Sequence, residues 1–196
     1  MSPRVRLIAL AVLFASPMVL SYALYYSGWR PDDVHPHGDL VTPPRVVADV
    51  ELTALEGAKI RLSAAPRKWL LLYFGSSECA KVCEQALYKI RQVIAAQGKE
   101  AGRVRGVMTL TDTRALEMLR YQLKDYPDIS ALVGPSAEIK RFAREFDIPE
   151  GDALRGLHRI YVVDPLGNFM LSYPADADPS DIRKDLTRLL RVSRIG

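Results

Sequence analysis

The feature that most limits the fold of this chain is an apolar stretch close to its N-terminus. Residues 7–26, LIALAVLFASPMVLSYALYY, carry no formal charge. As an α-helix, a segment of this length reaches about 30 Å, which matches the hydrocarbon core of a membrane. The sequence therefore predicts one transmembrane helix at 7–26, and the folded domain must come after it.

The residues around this stretch predict its orientation. Arg4 and Arg6 precede it, and basic residues that flank a span tend to stay in the cytoplasm. Residues 1–6 are therefore expected to be cytoplasmic, and the main domain is expected to lie outside the cytoplasm. Four aromatic residues gather where the chain would leave the far side of the membrane, as in an aromatic belt: Tyr22, Tyr25, Tyr26 and Trp29.

A cleaved signal peptide is an alternative interpretation of the same stretch. The tripeptide Ser21-Tyr22-Ala23 has small residues at its first and third positions, as cleavage sites do. The apolar run continues past that site to Tyr26. An uncleaved anchor is for this reason the preferred interpretation.

A tether and a single domain are expected after the span. Residues 27–45, SGWRPDDVHPHGDLVTPPR, contain four prolines and no apolar periodicity, which is typical of an extended linker. His35 and His37 are interpreted as solvated linker residues, with transient metal capture as the alternative. Residues 46–196 have the length of one domain with its own core.

The charge distribution argues against a nucleic-acid partner. The chain has 27 basic and 23 acidic residues, a formal net charge of +4. These residues are scattered, with no block of like charge and no basic stripe interleaved with aromatic residues. Nucleic acid is therefore not expected to bind.

The apolar pattern after the tether predicts an α/β fold. A continuous apolar run at 69–74 indicates a strand buried on both faces, as the strands of parallel sheets are. Helical and strand patterns then alternate, which favours a mixed central sheet flanked by helices, with an N-terminal hairpin. The predicted strands are 47–55, 58–62, 69–74, 104–110, 129–134, 158–164 and 169–173; the predicted helices start near Val82, Thr113, Pro135 and Ile182, the third ending at Pro149. The first of these helices is predicted from apolar residues that recur at helical spacing and form one apolar stripe: Val82, Ala86, Leu87, Ile90, Val93 and Ile94.

The two cysteines of the chain, Cys79 and Cys83, follow the buried strand directly. In open α/β sheets, sites lie at the carboxyl ends of central strands, and a helix N-terminus favours thiolate. Residues four apart in a regular helix have Cβ atoms about 5–6 Å apart, whereas a disulfide needs about 3.5–4.5 Å. A disulfide therefore requires an irregular first turn. Two metal–thiolate bonds of about 2.3 Å need less distortion, so a soft metal suits this spacing at least as well as a structural disulfide.

Two thiolates and one imidazole would suit copper(I), whereas structural zinc would want a fourth protein ligand. The best third ligand is His158, which starts the predicted strand 158–164 beside the cysteine-bearing strand. A surface histidine at a strand end is an equal alternative. Asp112 follows the other neighbouring strand; it is interpreted as the cap of a helix starting at Thr113, and alternatively borders the site.

Three segments resemble the Sco/SenC family: YFGSSECAKVC at 73–83, TLTDTR at 109–114 and YVVDPLGNFMLSYP at 161–174. The resemblance covers most of residues 46–192. It implies a thioredoxin-like fold and a membrane-anchored assembly factor of cytochrome c oxidase, and the chain looks closer still to small Sco-like transmembrane proteins of bacteria. That resemblance implies that the helix lies in the inner (cytoplasmic) membrane and the main domain in the periplasm. In the family, two cysteines and a distant histidine bind copper, and the cysteines exchange between thiol and disulfide. Cys79 and Cys83 match those thiols.

Two positions depart from the family pattern. Ala80 stands where proline usually follows the first cysteine, and His158 lies six residues before Asp164 where the family histidine lies eight before it. An ungapped match puts Gly156 at the histidine position. A shift of two residues keeps a side chain on the same strand face and moves it by about 6–7 Å. Ligation by His158 is therefore predicted from strand geometry.

Three functions remain open at this point. The first is an assembly factor that holds copper(I) on Cys79 and Cys83, with His158 or a partner completing the site, and serves a cytochrome c oxidase subunit or another copper-site assembly protein. The second is a thiol-disulfide reductase of a partner's copper-binding cysteines, in which Cys79 attacks and Cys83 resolves. The third is a non-catalytic scaffold of the oxidase-assembly complex.

Overall fold

Two units make up the structure, a computed structural model that describes residues 2–28, 35–61, 68–146 and 159–193. The first unit, Met1–Pro36, contains helix α1 at Pro3–Tyr26, and the second unit is the domain His37–Gly196. The most apolar 18 residues of α1 have a mean hydropathy of 2.2, and none of its side chains is buried. Helix α1 contains the whole predicted span and is long and apolar enough to cross a membrane.

The described part of the domain forms a mixed sheet of eight strands. The strands are β1 (Asp39–Val46), β2 (Glu51–Ala54), β3 (Lys59–Arg61), β4 (Trp69–Gly75), β5 (Val104–Leu110), β6 (Ile129–Val133), β7 (Arg159–Val163) and β8 (Asn168–Pro174). Their order across the sheet is β1-β8-β7-β4-β5-β6-β2-β3. Neighbours among β4, β5 and β6 are parallel, and the other pairs are antiparallel. The predicted mixed sheet and the N-terminal hairpin of β2 and β3 are confirmed.

Helices cover both faces of this sheet. They are α2 (Lys81–Ala95), α3 (Leu116–Leu123), α4 (Ser136–Arg144) and α5 (Pro179–Val192), with a 3-10 helix at Gly98–Arg103. One buried cluster joins the sheet to α2, α3 and α5 through Ile90, Leu119 and Leu186. The other joins its opposite face to α4 through Ile139 and Phe142. Every residue of β4 is buried because this central strand has helices on both sides.

The apolar stripe of α2 differs from the prediction at one position. Val82 was expected to lie on the buried face, but it is 42% exposed. Cys83 is buried instead, with Ala86, Leu87 and Ile90. The helix starts at Lys81, so its face is set by packing on the sheet, and Cys83 is the residue in its first turn that faces inward.

Part of the predicted tether is a strand. Residues 39–45 belong to β1, which pairs with β8 so that Asp39 lies opposite Ser172. The side chain of Arg159 on β7 donates to the carboxylate of Asp39. Strand pairing and this ion pair explain why the segment joins the sheet despite its prolines, which lie on an edge strand where a missing N–H is tolerated.

His37 is bound to the domain, which corrects its interpretation as a solvated linker residue. Its backbone N–H donates to Asp185 Oδ2 at 2.7 Å, and its Nδ1 lies 3.1 Å from Asp185 Oδ1. The same carboxylate accepts the Gly38 N–H at 3.2 Å and the Tyr173 hydroxyl at 2.8 Å. Asp185 is only 4% exposed, so α5 holds the chain where it enters the sheet.

Candidate functional site: the cysteine loop

The loop 75–80 joins the carboxyl end of β4 to the N-terminus of α2, as predicted for the cysteines. Cys79 has a φ of 33°, in the left-handed region that residues other than glycine rarely adopt. Its N–H donates to Ser76 O at 3.1 Å, and the helix cap follows at Ala80. The chain therefore turns sharply just before the helix begins.

Cys79 and Cys83 form a disulfide with their Cα atoms 5.0 Å apart. The sequence required an irregular first turn for such a bond, and the left-handed backbone at Cys79 is that irregularity. Both residues are buried, with 2% and 6% of their surface exposed. In this oxidised state neither sulfur is a thiolate. Addition of two electrons and two protons would convert the pair to two thiols at the start of α2.

The cysteine loop is tied to the loop that follows β5. The Ser77 hydroxyl donates to Asp112 Oδ1 at 2.5 Å and accepts the Ala115 N–H at 3.0 Å. Gly75 O accepts the Thr111 N–H at 2.9 Å. Because β4 and β5 are parallel neighbours, their following loops meet at one edge of the sheet. Asp112 therefore borders the cysteine loop.

The predicted role of Asp112 as the cap of a helix starting at Thr113 is wrong. Helix α3 starts at Leu116, its cap residue is Ala115, and no side chain from its own segment caps it. The Ser77 hydroxyl from the neighbouring loop accepts the Ala115 N–H instead. Sequence reasoning missed Ser77, whose one available signal was its position between the buried strand and the first cysteine.

Hydrogen bonds hold Asp112 in its ionised form. Burial by itself opposes ionisation, but the hydroxyls of Ser77 and Ser76 and the backbone and guanidinium of Arg114 outweigh it and keep the pKa of Asp112 well below its usual range. Arg114 also lies 3.6 Å from Glu78. The edge of the cysteine loop is thus lined by a charged group that stays ionised at neutral pH.

We expect Asp112→Asn to change how stability depends on pH. The carboxyl has a pKa of about 3.9 in an unfolded chain and a lower one in the fold. Its stabilising contribution is therefore fully present above about pH 4 and is lost as the pH falls through the folded pKa. Urea unfolding should show that the stability gap between the two proteins narrows steadily below about pH 4.

The control for this experiment is Glu117→Gln, since the Glu117 side chain is 89% exposed. The free energy of unfolding of Glu117→Gln should depend on pH in the same way as that of the parent protein. A gap between the parent and Asp112→Asn that stays constant in acid would contradict the assignment of the low pKa to Asp112.

His158 lies outside the described residues, so its role as a ligand stays a prediction. Strand β7, which starts at Arg159, pairs antiparallel with β4, and Ile160 lies opposite Tyr73. The start of β7 is therefore at the same end of the sheet as Gly75, as predicted. Within the described ranges, no group of three or more His, Cys, Asp or Glu side chains is arranged to hold a metal ion.

The fold and the position of the cysteine pair define the class of protein: a thioredoxin-like domain that follows an apolar helix. Residues 69–193 match the family described as transmembrane-like, thioredoxin-like, C-terminal domain, and the chain belongs to that family. The predicted thioredoxin-like fold and the resemblance to Sco/SenC proteins are both confirmed.

Three similar proteins illustrate this resemblance. The mitochondrial SCO2 homolog of Danio rerio is 27% identical over 101 residues, which cover 49% of this chain and 36% of that protein. The copper-bound structure of Bradyrhizobium japonicum ScoI is 25% identical, with a TM-score of 0.58, over 74% of this chain and 99% of that one. BsSco, described as having a disulfide switch and as a member of the Sco family of cytochrome c oxidase assembly proteins, is 19% identical, with a TM-score of 0.62, over 80% of this chain and 98% of its own.

Proposed function

We propose that this protein is a membrane-anchored assembly factor for cytochrome c oxidase that handles copper(I) through Cys79 and Cys83. The observation that carries the proposal is the cysteine pair at the start of α2, at the carboxyl end of the central strand. The similarity to Sco proteins, one of them solved with copper bound, supports copper as the cargo.

The chemistry of the pair suits this cargo. Reduction of the disulfide yields two soft sulfur donors held on one turn of chain, and thiolates are the ligands that copper(I) prefers. The N-terminal end of α2 favours the deprotonated form of both. His158 is the proposed third ligand from this chain, and a donor from the client protein is the alternative. Copper is released when the client offers a more favourable set of donors.

The membrane anchor and the client complete the proposal. Residues 1–6 lie in the cytoplasm, residues 7–26 span the inner membrane, and the thioredoxin-like domain works in the periplasm. The client is a copper-binding subunit of cytochrome c oxidase or another protein that assembles its copper site. The apolar helix α1 supports the anchor, and the basic residues before it support the orientation.

A second candidate function is supported by the disulfide itself. A pair that closes between Cys79 and Cys83 can also act as a thiol-disulfide reductase. In that reaction the Cys79 thiolate attacks a partner's disulfide and forms a mixed disulfide, which Cys83 then resolves. The partner gains two electrons and two protons as a dithiol, and the Cys79–Cys83 disulfide re-forms. A second dithiol protein must then reduce it again.

The experiment that separates these functions is a copper(I) titration of the full chain in detergent, without oxygen, against a calibrated chelator. The reduced protein should hold one copper(I) per chain, and the protein with its disulfide intact should hold none, because the thiolate ligands are then absent. Equal chelator competition by both forms, or none by either, would overturn the copper proposal. Rapid exchange with a partner disulfide would then favour the reductase.

A further inference from the structure

We infer that Asp112 and Ser77 are positioning residues for the cysteine pair. Asp112, acting through the Ser77 hydroxyl, holds the loop 75–80 in the conformation that sets both the copper(I) affinity and the reduction potential of Cys79 and Cys83. The copper part of this inference rests on the proposed function, and the part that concerns the potential does not.

Ser77 is the structural link between the two loops. It lies two residues before Cys79 and has no exposed surface. Its hydroxyl donates to Asp112 Oδ1 at 2.5 Å and accepts the Ala115 N–H at 3.0 Å. A hydroxyl has one proton to donate, and hydrogen bonds to an ionised acceptor are shorter and stronger than neutral ones. The orientation of Ser77 is therefore fixed on both sides.

Asp112 is itself held in place. Its Oδ1 accepts the Arg114 N–H at 3.3 Å, and its Oδ2 lies 3.4 Å from the Arg114 guanidinium. One residue earlier, the backbone and hydroxyl of Thr111 both donate to Gly75 O, at 2.9 and 3.3 Å. The loop that follows β5 is thus hydrogen-bonded to the cysteine loop at two places, Gly75 and Ser77.

These hydrogen bonds matter because Cys79 has a left-handed backbone conformation. A non-glycine residue with a φ of 33° is unfavourable and persists when the surrounding structure holds it. The Cys79 N–H bond to Ser76 O lies inside the loop, and the disulfide ties Cys79 to α2 only while the pair is oxidised. In the reduced protein the loop needs another support to stay in this form. Ser77 and Asp112 supply that support, and the spacing of the two sulfurs depends on it.

Residues that orient metal ligands without touching the metal typically change its affinity by about 10- to 100-fold. We therefore expect Ser77→Ala and Asp112→Ala to weaken copper(I) binding by about tenfold or more. Both should also change the equilibrium between dithiol and disulfide by about tenfold, or about 30 mV, because the loop favours the oxidised and reduced pairs unequally.

The test uses the full chain in detergent, with chelator competition for copper(I) and glutathione redox buffers for the potential. Ser77→Thr keeps the hydroxyl and should restore both quantities to near the parent values. Thr113→Ala is the matched control, since Thr113 is exposed and lies next to Asp112 in the loop that follows β5. It should leave both quantities unchanged. Urea unfolding of each variant confirms that the domain is folded.

Each outcome decides the inference. A shifted potential in Ser77→Ala and Asp112→Ala with rescue by Ser77→Thr supports it, even if the parent protein binds no copper(I) and the proposed function fails. Folded variants with an unchanged potential and unchanged copper(I) affinity overturn it. A loss that Ser77→Thr does not rescue also overturns it, because the hydroxyl would then have no part in positioning the pair.

Discussion

Replacement of either cysteine by serine should abolish tight copper(I) binding by the reduced protein. Each change removes one of the two sulfur donors, and a hydroxyl is a poor ligand for a soft ion. Since changes that merely disturb ligand orientation cost about 10- to 100-fold, loss of a ligand should exceed about 100-fold. Chelator competition on Cys79→Ser and Cys83→Ser measures this loss directly.

The matched controls for these variants are two histidine changes. His158→Ala should weaken binding less than loss of a thiolate, if the imidazole is the third ligand. His35→Ala should leave copper(I) affinity unchanged, since His35 is interpreted as a solvated linker residue and is not in the proposed ligand set. Retention of tight binding by either serine variant would contradict a two-thiolate site.

The same serine variants test the whole function in cells that need this protein for oxidase activity. If the protein is a carrier or a reductase, replacement of either cysteine should abolish oxidase activity, because both mechanisms need two thiols. A non-catalytic scaffold should keep oxidase activity, since that function uses no thiol chemistry. Normal oxidase activity in the double serine variant, at unchanged protein level, would establish the scaffold and exclude the other two.

Asp185→Ala should clearly destabilise the domain. Its carboxylate accepts three donors, the N–H groups of His37 and Gly38 and the Tyr173 hydroxyl. A buried donor left without a partner costs about 1–3 kcal/mol. The hydrogen bond from the Tyr173 hydroxyl is buried and the two from the N–H groups are partly buried, so the free energy of unfolding should fall by about 2–3 kcal/mol. Urea unfolding of the domain measures the change.

Asp185→Asn provides the comparison that isolates these hydrogen bonds. The asparagine oxygen can accept the same three donors, and its amide N–H can donate to His37 Nδ1 in the tautomer that leaves this nitrogen without a proton. Asp185→Asn should therefore retain most of the free energy of unfolding of the parent protein. Asp181→Ala, whose side chain is 35% exposed and lies 3.5 Å from His37, should change stability by less than about 1 kcal/mol. Equal losses in all three variants would contradict a specific role for the buried carboxylate.

Local patterns were enough to predict most of the fold. The unbroken apolar run of β4 indicates a strand buried on both faces, and the spacing of Ala86, Leu87 and Ile90 indicates one helix face. These patterns work because burial selects side chains residue by residue along an element. The location of the cysteines at the carboxyl end of β4 follows from the same reasoning.

Local patterns failed where partners come from distant parts of the chain. His37 read as linker because its partner, Asp185, lies 148 residues away. Asp112 read as a helix cap because its partner, Ser77, lies 35 residues away in another loop. Val82 was predicted to be buried because the sequence does not show how the first turn of α2 packs against the sheet.

The sequence by itself determined the apolar N-terminal helix, the α/β class and the location of the site, because each depends on the order of apolar residues and on which strand precedes the cysteines. Only the tertiary structure decided that residues 39–46 join the sheet, that Asp185 holds their start and that Ser77 ties the cysteine loop to Asp112. The physical reason is that a hydrogen bond between buried groups depends on distances in space, which the folded backbone alone sets.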